Sequence, residues 1–248
     1  MATVLSGTSG ALYYTPAGTS VTTLTASAFP ATGSDITVGS YLGFRVDDPV
    51  TLAYPAGATT TNAIAAGAYF VKTYVASTGV MTISSTAGGA AETATALPSG
   101  FGASFASITY TAPVVVGSVR DWSFEITRSE IDVTTIGQEA GQYAPFRSYI
   151  SGFADGTGSA TVYTTDDDTA ISSRLIEDVI QREQSGARMK LYIDRVVVSG
   201  TVNDTSSRFI SVPVILTSAS LTVNPDDGQS VAISFRPSEA PTFDLSKS

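Results

Sequence analysis

The chain contains no histidine and no cysteine. Without imidazole or thiolate, the usual zinc centres and Ser-His-Asp hydrolysis are excluded. The missing cysteines also rule out a disulfide framework and leave the redox compartment unread. Charge is scarce as well, at 14% of the 248 residues, where an average globular chain carries roughly 25%. Bases are rarer than acids, 13 against 22, so the net charge is −9 and the pI about 4.4. Such a balance argues against a protein that grips nucleic acid through phosphate contacts, which require a basic surface. No uncharged apolar run is long enough to span a bilayer. The opening MATVLSGTSG lacks the basic and apolar regions of a secretory signal. These absences point to a protein made in a cytoplasm, with no membrane span.

What fills the composition instead is Ser and Thr, at 66 positions, together with 22 Gly. That mixture favours extended structure and turns over helix. The chain changes character near residue 111. Residues 1–111 hold Arg45 and Lys72 against Asp35, Asp47, Asp48 and Glu92, a net charge of −2, which leaves −7 for the remainder. The step suggests two modules with different surfaces, joined by TAPVVVG at 111–117. In the first module, SYLGFRVDDPVTLAYPAG reads as strand, turn at Asp47-Asp48-Pro49, strand and Pro-Gly turn. AGAYFVKTYVASTGVMTISSTAGGAAET continues with short strands and reads as a small sandwich or barrel. Gly88-Gly89 is a hairpin turn, because no Lys-Ser/Thr pair or helix follows as a phosphate loop would need.

The second module opens on VRDWSFEITRSEIDVTTIG (119–137). Here Trp122, Phe124 and Ile126 alternate with Ser123, Glu125 and Thr127, as a strand with one greasy and one polar face requires. GQEAGQYAPFRSYISG reads as a loop with aromatics, and GTGSATVYTT as another strand. DDDTAISSRLIEDVIQREQSG predicts the one helix, about 169–185. Ile171, Leu175 and Val179, widened by Ile176 and Ile180, form its apolar stripe, Asp168 or Thr169 its cap, and Gly186 its end. RMKLYIDRVVVSG, RFISVPVILTSASLTV and SVAISFRP supply the remaining strands, with a hairpin turn at Asn224–Gly228. The fold class is therefore mainly β (α+β): a sandwich or barrel with one flanking helix, plus a small all-β unit.

Chemistry finds little foothold. Asp166-Asp167-Asp168 lacks the spaced ligands and distal Glu of a calcium loop and reads as a helix cap. Glu125 and Asp132 could be drawn as a glycosidase pair, but nothing in the pattern sets them across a cleft. Neither an enzyme nor a cofactor is expected. Trp122 reads as a core or inter-subunit anchor.

The run from Trp122 to Gly137 resembles the corresponding strand and loop of tailed-bacteriophage tail tube (major tail) proteins. YISGFADGTGSATVYTTDDD, the single helix and the last hairpin SASLTVNPDDGQSVAISFRP resemble them too, as does VLSGTSGALYYTPAGT. The resemblance covers about 1–24 and 108–248, more in order along the chain than at any one residue. It implies a tube-like β-sandwich built from 1–28 plus 108–248. Residues 29–107 would be an inserted small β domain, placed on the tube exterior because inside it would obstruct the channel.

The family implies a virion protein, assembled in the host cytoplasm into hexameric rings that stack into a conduit for the genome. Partners would be the chain itself, the tape measure, baseplate and terminator proteins, with a sheath in contractile tails. DNA would pass without specific binding. Trp122, Phe124 and Ile126 would form a core or inter-subunit strand, and Glu125 and Asp132 would be acids of an anionic bore. The loop 137–148 would reach the adjacent ring, with Tyr143, Pro145, Phe146 and Arg147 as contact residues. Alternatives are a fibre, baseplate or surface adhesion module, or a tail terminator that forms rings without polymerising.

Overall fold

The computed structural model describes residues 10–100, 104–111, 114–116, 118–134, 147–163, 169–223 and 228–246. Its strands, in chain order, are β1 (Ala11–Thr15), β2 (Ser20–Leu24), β3 (Ile36–Thr37), β4 (Pro49–Ala53), β5 (Gly67–Val75), β6 (Val80–Ser84), β7 (Ala106–Tyr110) and β8 (Val114–Val115). They continue with β9 (Ser118–Asp132), β10 (Tyr149–Tyr163), β11 (Arg188–Asp194), β12 (Val197–Val198), β13 (Thr201–Val202), β14 (Arg208–Thr222), β15 (Ser230–Pro237) and β16 (Thr242–Asp244). Helix α1 (Thr169–Ile180) lies between β10 and β11. The expected class holds: the fold is mainly β, 53% strand, with one helix among the described residues and a sheet curled into a half-barrel.

That curled sheet runs β8-β1-β11-β14-β15-β10-β9, with β16 beside β14. All of its pairings are antiparallel. Alternation sets its inner face: Val212, Val214 and Leu216 of β14 and Val231, Ile233 and Phe235 of β15 are buried in one cluster. Leu175 of α1 joins that cluster. Register shifts in β14 after Leu216 and in the β9–β10 pair are the bulges that bend such a sheet.

A second sheet, β2-β7-β4-β5-β6-β3, encloses its own core around Val50, Leu52, Val71, Met81, Ile83 and Ile108. It extends beyond 29–107 on both sides, because β2 and β7 pair with each other and β7 pairs with β4.

Gly158 shows how tightly the curled sheet is filled. It lies between Phe124 of β9 and Phe235 of β15, whose rings stack with centroids 6.3 Å apart and planes 13° from parallel. A Cβ at 158 would lie 2.2 Å from the Phe235 ring, and that ring is buried and cannot swing away. Gly158→Ala is therefore expected to cost about 1–3 kcal/mol through overpacking, read as a lower denaturant midpoint with an unchanged m-value.

The helix differs from its expected form in length and in its buried face. It stops at Ile180, not near 185, because the Gln184 side chain donates to the Asp178 and Val179 carbonyls and satisfies the last turn early. Ile180, expected in the apolar stripe, is exposed. Leu175 is buried, Ile176 and Val179 pack partly against the core, and beside them lie two buried charged residues, Arg174 and Asp178. The caps expected at 166–168 fall outside the described residues, as does the turn at 224–227.

Both charges serve the junction between the sheets. Arg174 Nη1 donates to Asp48 Oδ1 at 2.6 Å, Nη2 donates to the Gly43 carbonyl, and the guanidinium lies 5.8 Å from the Tyr110 ring centroid. Asp178 Oδ2 accepts from the Tyr14 hydroxyl at 2.7 Å and from the Ala17 N–H at 3.1 Å. Burial raises the Asp178 pKa above the ordinary carboxylate value, opposed by those two hydrogen bonds and by Arg174 and Arg45. A raised folded-state pKa means that the native state holds the proton more tightly than the unfolded chain. The stability this group contributes is thus full below its unfolded pKa and lost as pH rises through its folded pKa. In Asp178→Asn the side-chain oxygen still accepts both hydrogen bonds without a buried charge. The variant is expected to lose less stability than wild type as pH rises above the ordinary carboxylate value, measured as urea midpoints across that rise.

Candidate functional site

The curled sheet ends on β9, a 15-residue edge with β10 on one side and no strand on the other among the described residues. β9 continues through Arg128, Ser129 and Glu130 to Asp132, and Tyr149–Gly152, read from the sequence as loop, belongs to β10. Only Gly158–Tyr163 of β10 pairs with β15. The stretch 149–157 pairs with β9 alone, so a two-stranded ribbon extends past the sheet by nine residues, about 30 Å at strand rise.

Such a ribbon has marginal stability in isolation, and this one is conspicuously apolar. Ile126, Ile131, Val133, Tyr149 and Ile150 are all exposed, and Phe153 is 93% exposed. Ile131 and Ile150 are cross-strand partners and therefore share one face. A bulge between Ser151 and Ala154 places Phe153 at a twist in the ribbon. There Ser129 Oγ donates to the Phe153 carbonyl at 3.3 Å and Arg128 Nε to the Gly152 carbonyl at 3.1 Å. An open edge above an uncovered apolar ribbon is a surface for strand addition and burial.

The residues singled out from the sequence divide between two roles. Trp122 and Phe124 lean on the core and are half-buried, whereas Ile126 of the same face lies beyond it and is exposed. Glu125 and Asp132 are both exposed, but seven residues of strand separate them by about 23 Å and turn them to opposite faces. They form neither a catalytic pair nor one shared patch.

Asp132 ties the end of the ribbon. Its Oδ1 accepts from the Thr134 N–H at 2.9 Å, and its Oδ2 lies 3.6 Å from Arg147 Nη1. The Thr134 side chain and backbone hold its carboxyl below the usual range. Arg147 thus reaches back to the strand, and Tyr143, Pro145 and Phe146 lie outside the described residues.

The face opposite the core is polar. Ser123, Glu125, Thr157, Ser159, Thr217 and Ser234 line an open groove across β9, β10, β15 and β14. Ser123 and Ser159 are hydrogen-bonded at 2.9 Å, and Thr217 Oγ1 donates to the Ser234 carbonyl at 3.1 Å. Alternation adds Asp121 and Asp155 to the acids of this face, against Arg236, whose Nη1 lies 3.6 Å from Asp155.

The ribbon residues Ile131, Ile150 and Phe153 were missed in the sequence reading. Their signal was the continuation of the 119–127 alternation, with apolar residues changing parity from Ile126 to Ile131 and Val133.

No family model and no curated protein matches the chain. Among solved structures, a chain from the virion of a native gene transfer agent particle is similar at 14% identity with a TM-score of 0.38. That similarity covers 54% of this chain and 89% of the other. A chain from the tail of an empty gene transfer agent particle, refined helically with C6 symmetry, is similar at 14% identity with a TM-score of 0.37, over 54% of this chain and 87% of its own. Likeness of this extent leaves the function to be read from the chain's own surfaces.

Proposed function

We propose that this chain is a structural subunit of a phage-like tail tube, whose copies join edge to edge into six-fold rings around a hydrated bore. The observation that carries the reading is the β9 edge, which no strand pairs among the described residues, continued by the apolar ribbon. A neighbour adding a strand there would remove an aggregation-prone edge, and its body laid over the ribbon would cover Ile131, Ile150 and Phe153. Head-to-tail contact of this kind closes into a ring when its rotation permits. The order of sequence motifs resembling tail tube proteins supports the same reading.

In this proposal the hydroxyl-rich face with Asp121, Glu125 and Asp155 lines the bore, where excess acid keeps a passing polyanion from adhering. The loop 137–148 makes the contact between rings. The tape measure, baseplate and terminator proteins would meet the ends of the tube. The second sheet, taken as residues 20–110, is an inserted domain on the outside.

Size-exclusion chromatography followed by negative-stain imaging tests the proposal. Six-fold rings or tubes are expected, and deletion of 139–146 should leave rings that no longer stack into long tubes. Discrete trimers would favour a fibre or adhesion module, and wild-type rings that never stack would favour a terminator.

A further inference from the structure

We infer that helix α1 is a charge-locked coupling that holds the second sheet at one fixed orientation against the curled sheet. The junction is built from three short segments that meet backbone to backbone. Gly18 N–H donates to the Ser185 carbonyl and Gly43 N–H to the Gly18 carbonyl, each at 2.9 Å. A Cβ at Gly43 would lie 2.0 Å from the Ala17 carbonyl oxygen, so the approach depends on the absent side chain. Over this contact α1 and the residue that follows it place three side chains on the 41–48 loop. Arg174 grips Asp48, Glu177 pairs with Arg45, and Gln181 Nε2 donates to the Tyr41 carbonyl at 3.0 Å. Just past the helix, Arg182 stands 5.6 Å from the Tyr41 ring centroid.

The same helix is anchored on its other side by Leu175 in the curled-sheet core and by Asp178 on Tyr14 and Ala17. Asp48 is doubly committed, since its Oδ2 also accepts from the Arg45 N–H at 2.8 Å and closes its own turn. Desolvation offsets much of the attraction in a buried ion pair, and the role assigned to this one is to fix geometry. A non-specific apolar seam would allow the sheets to slide. A directional guanidinium–carboxylate contact with a fixed carbonyl acceptor admits one register. Displacement of the second sheet is therefore delivered to α1, and through it to the core of the curled sheet.

The chain's lack of cysteine makes distance measurement direct. Spin labels at Ser77→Cys in the β5–β6 turn of the second sheet and Ser220→Cys in β14, diluted into unlabelled protein, report the orientation. A Thr157→Cys and Ser220→Cys pair reports the integrity of the curled sheet alone. Wild type is expected to give one narrow distance for both pairs. In Arg174→Met with Asp48→Asn, which removes both charges but keeps an acceptor for the Arg45 N–H, the 77/220 distribution should broaden on the order of twofold. The 157/220 distribution should stay narrow. If the double variant broadens 157/220 as well, Asp48→Asn alone is read in the same two ways. A 77/220 distance that is broad in wild type, or equally narrow in a variant whose 157/220 distance is intact, overturns the coupling.

Discussion

Replacing Arg174 with methionine is expected to destabilise the protein by about 3–5 kcal/mol, because the change strands a buried carboxylate. Asp48 lies 7% exposed beneath the helix, and its Oδ1 accepts from the Arg174 guanidinium at 2.6 Å. The methionine stem fills much of the space but offers no proton to that oxygen or to the Gly43 carbonyl. Adding Asp48→Asn should recover a large part of the loss, since a neutral amide costs less to bury than an unpaired charge. Chemical denaturation of the two single variants and the double variant measures the coupling as a cycle. Additive losses would show that the pair does not interact in solution.

The second large effect concerns assembly. Changing Ile131 and Ile150 together to lysine should leave the subunit folded, with stability altered by no more than about 0.5 kcal/mol, because both side chains are solvent-facing. Burying the two isoleucines at a contact would contribute roughly 1.5–3 kcal/mol each. The double change is therefore expected to weaken association by about 10²–10⁴-fold per contact, and by more where the lysines are desolvated. Analytical ultracentrifugation of variant and wild type gives the comparison. Assembly at wild-type strength would remove the ribbon from the interface.

The two predictions differ in how visible their residues were beforehand. Strand periodicity was readable wherever a strand had one wet and one dry face, as in β14 with Val212, Val214 and Leu216. It misled at 149–152, where Tyr149, Ile150 and Ser151 are all exposed and the stretch after the aromatic run looks like loop. Pairing between strands, not burial, makes those residues extended. The helix was legible from its stripe, but Arg174 and Asp178 carry charges that a wheel assigns to water. Their burial depends on Asp48, Tyr14 and the Ala17 N–H, up to 164 residues away in sequence, and no local pattern encodes such partners. For the candidate assembly surface, the polar alternation of Ser123 and Glu125 was plain, while the open edge beside it is a property of sheet order.

Tertiary order also corrects how the acids are read. Along the sequence Glu125 and Asp132 look like members of one acidic strand. Seven residues of strand turn them to opposite sides, and Asp132 is engaged by Thr134 and Arg147. Among the described residues Glu125 shares the hydroxyl face with Asp121 and Asp155.

A three-dimensional reconstruction of the assembled protein by electron microscopy tests the central claim most directly. It should show six copies around an axis, each with a neighbour's strand hydrogen-bonded along residues 119–131 and with Phe153 covered. A particle in which that edge and Phe153 face solvent in every copy would contradict it.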